Sequence, residues 1–147
     1  MNFKLKTICF LLFLLTTIGC TSVEKADLQN LNGYWEINKV IQPDGNEVDF
    51  SISTVYDFYQ IDDNYKGIYK KASPQLDGTF IVDDYREEIE IIEDKEVFKI
   101  KFHSGFNDRE VQIIKLTTNM LIVKNSDNKT YHYKRAEPIN LLEDEPY

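Results

Sequence analysis

The chain has two histidines, His103 and His132, and any acid–base or metal chemistry would start from them. Neither has a second histidine at H-x-H or H-x-x-x-H spacing. A zinc centre needs three or four converging ligands, so no metal is assigned. HSGFND (103–108) brings His103, Ser104 and Asp108 close in sequence, a hydrolase-like set on paper. Ser104 lacks the strand–turn–helix elbow that exposes a nucleophile. Both histidines alternate with apolar positions and are expected to face solvent. The acidic pairs Asp62–Asp63 and Asp83–Asp84 do not follow the calcium-loop pattern, and turn chemistry explains them. Asn128-Lys129-Thr130 fits a glycosylation acceptor and is read as a turn. No catalytic residue and no cofactor follow from these groups.

The aromatic side chains carry more information. There are nine Tyr, nine Phe and one Trp. Their positions follow the elements that would hold them. After Leu28 and Leu31, spaced as one short helical turn, helical periodicity stops. Nine strands are expected, over 34–42, 54–61, 65–71, 79–83, 87–92, 97–103, 109–116, 120–125 and 129–135. VFKIKFH (97–103) is the clearest: Phe98, Ile100 and Phe102 on one face, Lys99 and Lys101 on the other. On the first strand, Trp35, Ile37 and Ile41 share a face, with Lys39 the exception. PDGN (43–46) and EDK (93–95) are expected turns. Links this short join antiparallel neighbours. One apolar face must then be covered, and without helices the sheet must curl into a barrel or fold into a sandwich. Curling also removes exposed edges.

The first twenty residues belong to another device. Lys4 and Lys6 precede an apolar run, TICFLLFLL (7–15), and then small residues up to Gly19. That is a secretory-signal layout, too short to span a bilayer. TTIGC (16–20) resembles the lipobox of bacterial lipoproteins, although Thr17 stands where a Leu is usual. The resemblance implies cleavage before Cys20 and a diacylglycerol on its thiol; two acyl chains hold a membrane stably. Four segments follow: a signal over 1–19, a lipidated tether over 20–27, a barrel over 28–135 and an acidic tail over 136–147. Cys9 and Cys20 are the only cysteines, so the body has no disulfide. Removing Lys4 and Lys6 from 17 basic residues leaves 15 against 25 acidic ones, a net charge of −10. Such a surface repels nucleic acid and anionic headgroups.

LNGYWEI (31–37) is similar to the opening of the lipocalin superfamily, and of lipocalin-like lipoproteins from Bacteroidetes-type bacteria. In that family a helical turn leads into a G-x-W motif at the closed end of an up-and-down barrel. Gly33 and Trp35 match it. The resemblance also implies a basic residue from the last strand stacked on the indole, a place Arg135 takes. The expected fold is therefore all-β, a single antiparallel barrel of about eight or nine strands. Tyr56, Phe58, Tyr69, Phe80, Phe98, Phe102, Tyr131 and Tyr133 are assigned to its interior, where they either fill it or line a cavity.

Two functions stay open. One is a lipid-anchored envelope protein, delivered to the outer membrane, whose barrel binds a small apolar or amphipathic molecule. The other is an interaction module with a solid core and an envelope protein partner. An enzyme ranks third, since fold does not set function.

Overall fold

The computed structural model describes residues 23–105 and 107–136. The expected signal, the expected lipid site at Cys20 and the tail beyond Ala136 lie outside the described residues. A 3₁₀ helix over Lys25–Leu31 leads into ten strands. They are β1 (Gly33–Ile41), β2 (Glu47–Asp49), β3 (Tyr56–Ile61), β4 (Lys66–Pro74), β5 (Phe80–Val82), β6 (Glu87–Asp94), β7 (Val97–His103), β8 (Arg109–Leu116), β9 (Met120–Asn125) and β10 (Thr130–Arg135). Each ring neighbour is antiparallel, and β10 returns to pair with β1. β2 and β5 sit off the ring as short flaps on β1 and β4, so eight strands close the barrel. Among the described residues no helix is long and apolar enough to cross a membrane.

Alternation builds the core. Phe98, Ile100 and Phe102 are buried, and they face Ile89, Ile113, Leu116, Leu121 and Val123 from neighbouring strands. Outside, Lys99 bridges Asp94 at 2.9 Å and Glu110 at 3.0 Å. Two bulges interrupt the alternation, and both are invisible in the residue pattern. On β1 the register slips between Ile37 and Lys39, so Val40, not Ile41, faces inward with Tyr131. The bulge accounts for the exceptional Lys39: it turns outward beside His132 and bonds Glu47 at 2.5 Å. A second slip lies between Ile113 and Lys115 on β8. Bulges of this kind bend a strand and raise its twist, as a small closed barrel needs.

The face of β3 is the reverse of the sequence expectation. Asp57, Tyr59 and Ile61 point in, paired with Lys71, Tyr69 and Gly67. Tyr56 and Phe58 point out. There they join Tyr34 and Phe80 in a second aromatic cluster, with Tyr34 and Phe80 stacked at 4.0 Å and 9°. Phe80 therefore belongs outside as well, carried by the β5 flap. The pattern misled because both faces of β3 are aromatic and both are covered.

The closed end is built around Trp35, which is fully buried. Its indole N–H donates to the Leu31 carbonyl at 2.8 Å. The Arg135 guanidinium lies 4.0 Å over the ring. Its three nitrogens donate to the carbonyls of Thr118 (2.8 Å), Asn32 (2.6 Å) and Asn30 (2.6 Å). One cation thus caps the end of the 3₁₀ helix, where carbonyls lack helical partners. Asn32 Oδ1 accepts the Ile61 N–H at 2.6 Å and ties the helix to β3. Gly33 has φ +116°, and a Cβ there would lie 2.7 Å from Arg135 Nη1. Gly67 is bare for another reason: a Cβ would sit 1.8 Å from the Gln60 carbonyl oxygen.

Removing the clasp should cost more than its area. Arg135→Ala is expected to destabilise by about 3 kcal/mol, from the lost cation–π contact and orphaned carbonyls. Urea unfolding followed by Trp35 emission measures it, and Arg135→Lys should fall between the two. The β6–β7 turn offers the opposite sign. It centres on Lys95 (φ 50°) and Glu96 (φ 68°), one residue later than EDK predicts. Left-handed backbone disfavours both side chains by roughly 1–2 kcal/mol each. Glu96→Gly should therefore stabilise by about 1 kcal/mol in the same assay.

Candidate functional site

The barrel interior divides into a filled base and an open upper half. The base holds Trp35, Leu28, Leu31, Leu121 and Phe98. Above it lies a cavity of about 660 Å³. Its apolar lining comes from Tyr59, Phe102, Val111 and Val123, with Tyr69, Tyr131 and Tyr133 on the walls. Of the interior residues assigned from sequence, Tyr69, Phe102, Tyr131 and Tyr133 line this space. Phe98 packs in the base; Tyr56, Phe58 and Phe80 lie outside the barrel.

Rings inside the cavity are locked against one another. Tyr69 meets Tyr59 at 5.1 Å and Phe102 edge-on at 5.3 Å and 90°. Their hydroxyls need partners, because a buried unpaired hydroxyl is costly. Asp57 supplies one. Its carboxylate is 7% exposed, and Oδ1 accepts the Tyr69 hydroxyl at 2.9 Å and the Lys71 ammonium. Glu87, on β6, pairs with Arg109 at 3.0 Å. The Arg109 guanidinium lies 3.5 Å over the Phe102 ring, and the Lys71 ammonium lies 5.4 Å over Tyr69. Asp57 is buried, Glu87 is largely covered and both cations are half-exposed, so the charges are layered: anions within, cations toward the mouth.

Sequence reasoning missed Asp57, Tyr59, Lys71, Glu87 and Arg109. The available signal was Asp57 itself, a charge inside the apolar run TVYDFYQI that no turn explains. Arg109 and Glu87 begin their strands and look solvated; only the register shows that they flank Phe102 and Tyr69 at the mouth. The His103 set does not assemble as a hydrolase. His103 Nδ1 pairs with Asp108 at 3.1 Å, but the Ser104 hydroxyl donates to the Asn107 carbonyl. Among the described residues no three His, Cys, Asp or Glu side chains gather as a metal site.

Burial pushes the phenols of Tyr59, Tyr69 and Tyr133 well above the ordinary tyrosine range, and the Asp57 charge adds to each. A raised phenol pKa favours the protonated fold. The stability it contributes is full below the unfolded value of about 10 and is lost as pH climbs above it. In an alkaline titration, phenolate absorbance should account for fewer than the nine tyrosines while the β-sheet circular dichroism is intact. The remainder should appear in one step with unfolding. A smooth titration of all nine with the sheet preserved would contradict the burial described.

No family model matches the chain, and no curated protein matches it. Four chains of solved structures are similar, and two of them illustrate the likeness. One is a lipocalin-like protein from Bacteroides uniformis ATCC 8492, with 12% identity and a TM-score of 0.47 over 73% of this chain and 99% of that one. The other is an uncharacterized protein from Bacteroides eggerthii DSM 20697, with 14% identity and a TM-score of 0.46 over 72% of this chain and 99% of that one. The chain's own geometry carries the fold: a closed eight-stranded meander, a helical turn before G-x-W at its base, and a terminal arginine on the indole make a lipocalin-like barrel.

Proposed function

We propose that this chain is a lipid-anchored envelope protein whose barrel binds a small apolar or amphipathic molecule. The observation that carries the reading is the cavity of about 660 Å³, lined by rings yet left unfilled by them. That volume is in the range of small-molecule sites, which are mostly apolar with a few placed polar groups. Burial of ligand surface against Tyr59, Phe102 and Val123 would supply the affinity, at ~25 cal/mol per Å². The Asp57 and Glu87 pairs would orient the polar end. Binding, not turnover, is the activity proposed, because Ser104 and His103 make no nucleophile–base contact.

The anchor rests on the signal layout and on Cys20. Two acyl chains there would hold the acidic body at a membrane that its own charge does not favour. An outer-membrane location is part of the same proposal.

A second reading has its own support. Ile52, Leu76 and Ile81 are 83%, 70% and 63% exposed, on the β2–β3 link, the β4–β5 turn and the β5 flap. Apolar side chains this bare would suit an envelope protein partner.

Two measurements test the proposal. Growth with labelled palmitate should mark the wild type and not Cys20→Ala. Nile red, a neutral apolar dye, should brighten with the protein. Val123→Trp, which puts an indole into the cavity, should weaken dye binding at least about tenfold. Ile114→Trp, on the outer face of β8, should leave it unchanged. Equal loss in both variants, or no dye binding by a folded wild type, would favour the interaction module.

A further inference from the structure

The cavity's two charged pairs share one design. In each, a cation lies over an aromatic face and a carboxylate stands behind it, buried at Asp57 and largely covered at Glu87. Lys71 lies over Tyr69 with Asp57 behind; Arg109 lies over Phe102 with Glu87 behind. Aromatic faces attract cations through the ring quadrupole, most strongly when water is excluded. The carboxylates are held in place, since their side chains are only 7% and 12% exposed. The cations are not, because half of each side chain is in solvent and long flexible stems can swing out.

The charge count points the same way. Five carboxylates and three cations line the cavity, and the body carries a net charge of −10 after removal of the two signal lysines. That field concentrates cations at the mouth and opposes anions. An anionic ligand would have to take Lys71 or Arg109 from its buried partner, which leaves a carboxylate unpaired in low dielectric. A cationic ligand has the reverse effect. It replaces Lys71 on Asp57 and releases the lysine to water, so the buried charge stays paired throughout.

Building on the cavity reading above, we propose that the ligand class is an organic cation, an amine or quaternary ammonium on an apolar body. Lys71 is its internal stand-in. The ammonium of the ligand takes the place over Tyr69 against Asp57, and its apolar body lies against Tyr59, Phe102 and Val123. Lys71 is then a competitor for the site, and Asp57 is the residue that selects charge.

The test uses the full chain in phosphatidylcholine nanodiscs, with empty nanodiscs as the blank. Three probes of one shape are titrated by calorimetry: phenylbutyltrimethylammonium, phenylbutanol and phenylbutyrate. The ammonium should bind about tenfold tighter than the alcohol, and the carboxylate weakest. Asp57→Asn keeps the side-chain volume, and it should erase the roughly tenfold preference for the ammonium over the alcohol. Lys71→Met should tighten the ammonium. Should that variant fail to fold, as judged by circular dichroism, the Asp57→Asn comparison decides alone. Equal binding of all three probes, tightest binding of the carboxylate, or weaker ammonium binding in a folded Lys71→Met protein overturns the cation proposal and leaves the cavity reading standing. Binding of none of the three overturns both.

Discussion

A guanidinium flat on an indole holds this fold together. Arg135 comes from the last strand and Trp35 from the first, and they are register partners in the sheet. The stacking alone is worth up to ~2 kcal/mol when desolvated. Its geometry matters more than that figure. The same guanidinium donates to three carbonyls, two of them from the 3₁₀ helix and its cap. Strand closure, helix capping and burial of the one tryptophan are thus a single event. Gly33 is part of it, because a side chain there would occupy the arginine's place.

The cavity follows from how that clasp is arranged. The helix, the indole, Phe98 and the aliphatic residues pack together in the base. Higher in the barrel the inward positions are aromatic and charged, and the charged ones must keep their ion-pair partners. The rings settle edge to face around the wall, and the carboxylates need partners that reach back from the mouth. The outer cluster of Tyr34, Phe58, Phe80 and Tyr56 supports this half from outside. It gives the short β5 flap an apolar seat. The barrel is stiffened around its opening without filling it.

The β7 strand and the antiparallel meander were legible because each follows a local rule, whereas the Trp35–Arg135 pair was implied by the resemblance of LNGYWEI to the lipocalin opening. Strict alternation fixes a face, short links fix antiparallel pairing, and a basic residue in phase with Tyr131 and Tyr133 shares their side. β3 was not legible. TVYDFYQI has aromatic residues on both faces, and the deciding residue was the charge at Asp57, which ordinary reasoning sends outward. Low dielectric admits it because Tyr69 and Lys71 satisfy it, and those partners come from another strand. Bulges at Asn38 and Ile114 were also hidden. An extra residue shifts phase without leaving any mark in composition. The site was therefore half visible: its rings came from pattern, its charges only from register.

Closure has a temporal side. Asn32 and Arg135, joined by a hydrogen bond, are 103 residues apart in sequence. Contacts this distant make folding slow, since the entropy of bringing the ends together must be met before they reward it. The hairpins from β6 to β9 can form as soon as their own residues are available. The cylinder cannot, because its seam waits for the final strand. A chain made from its amino end would wait as an open ribbon with its indole uncovered. It would close into a barrel only when the last arginine arrived.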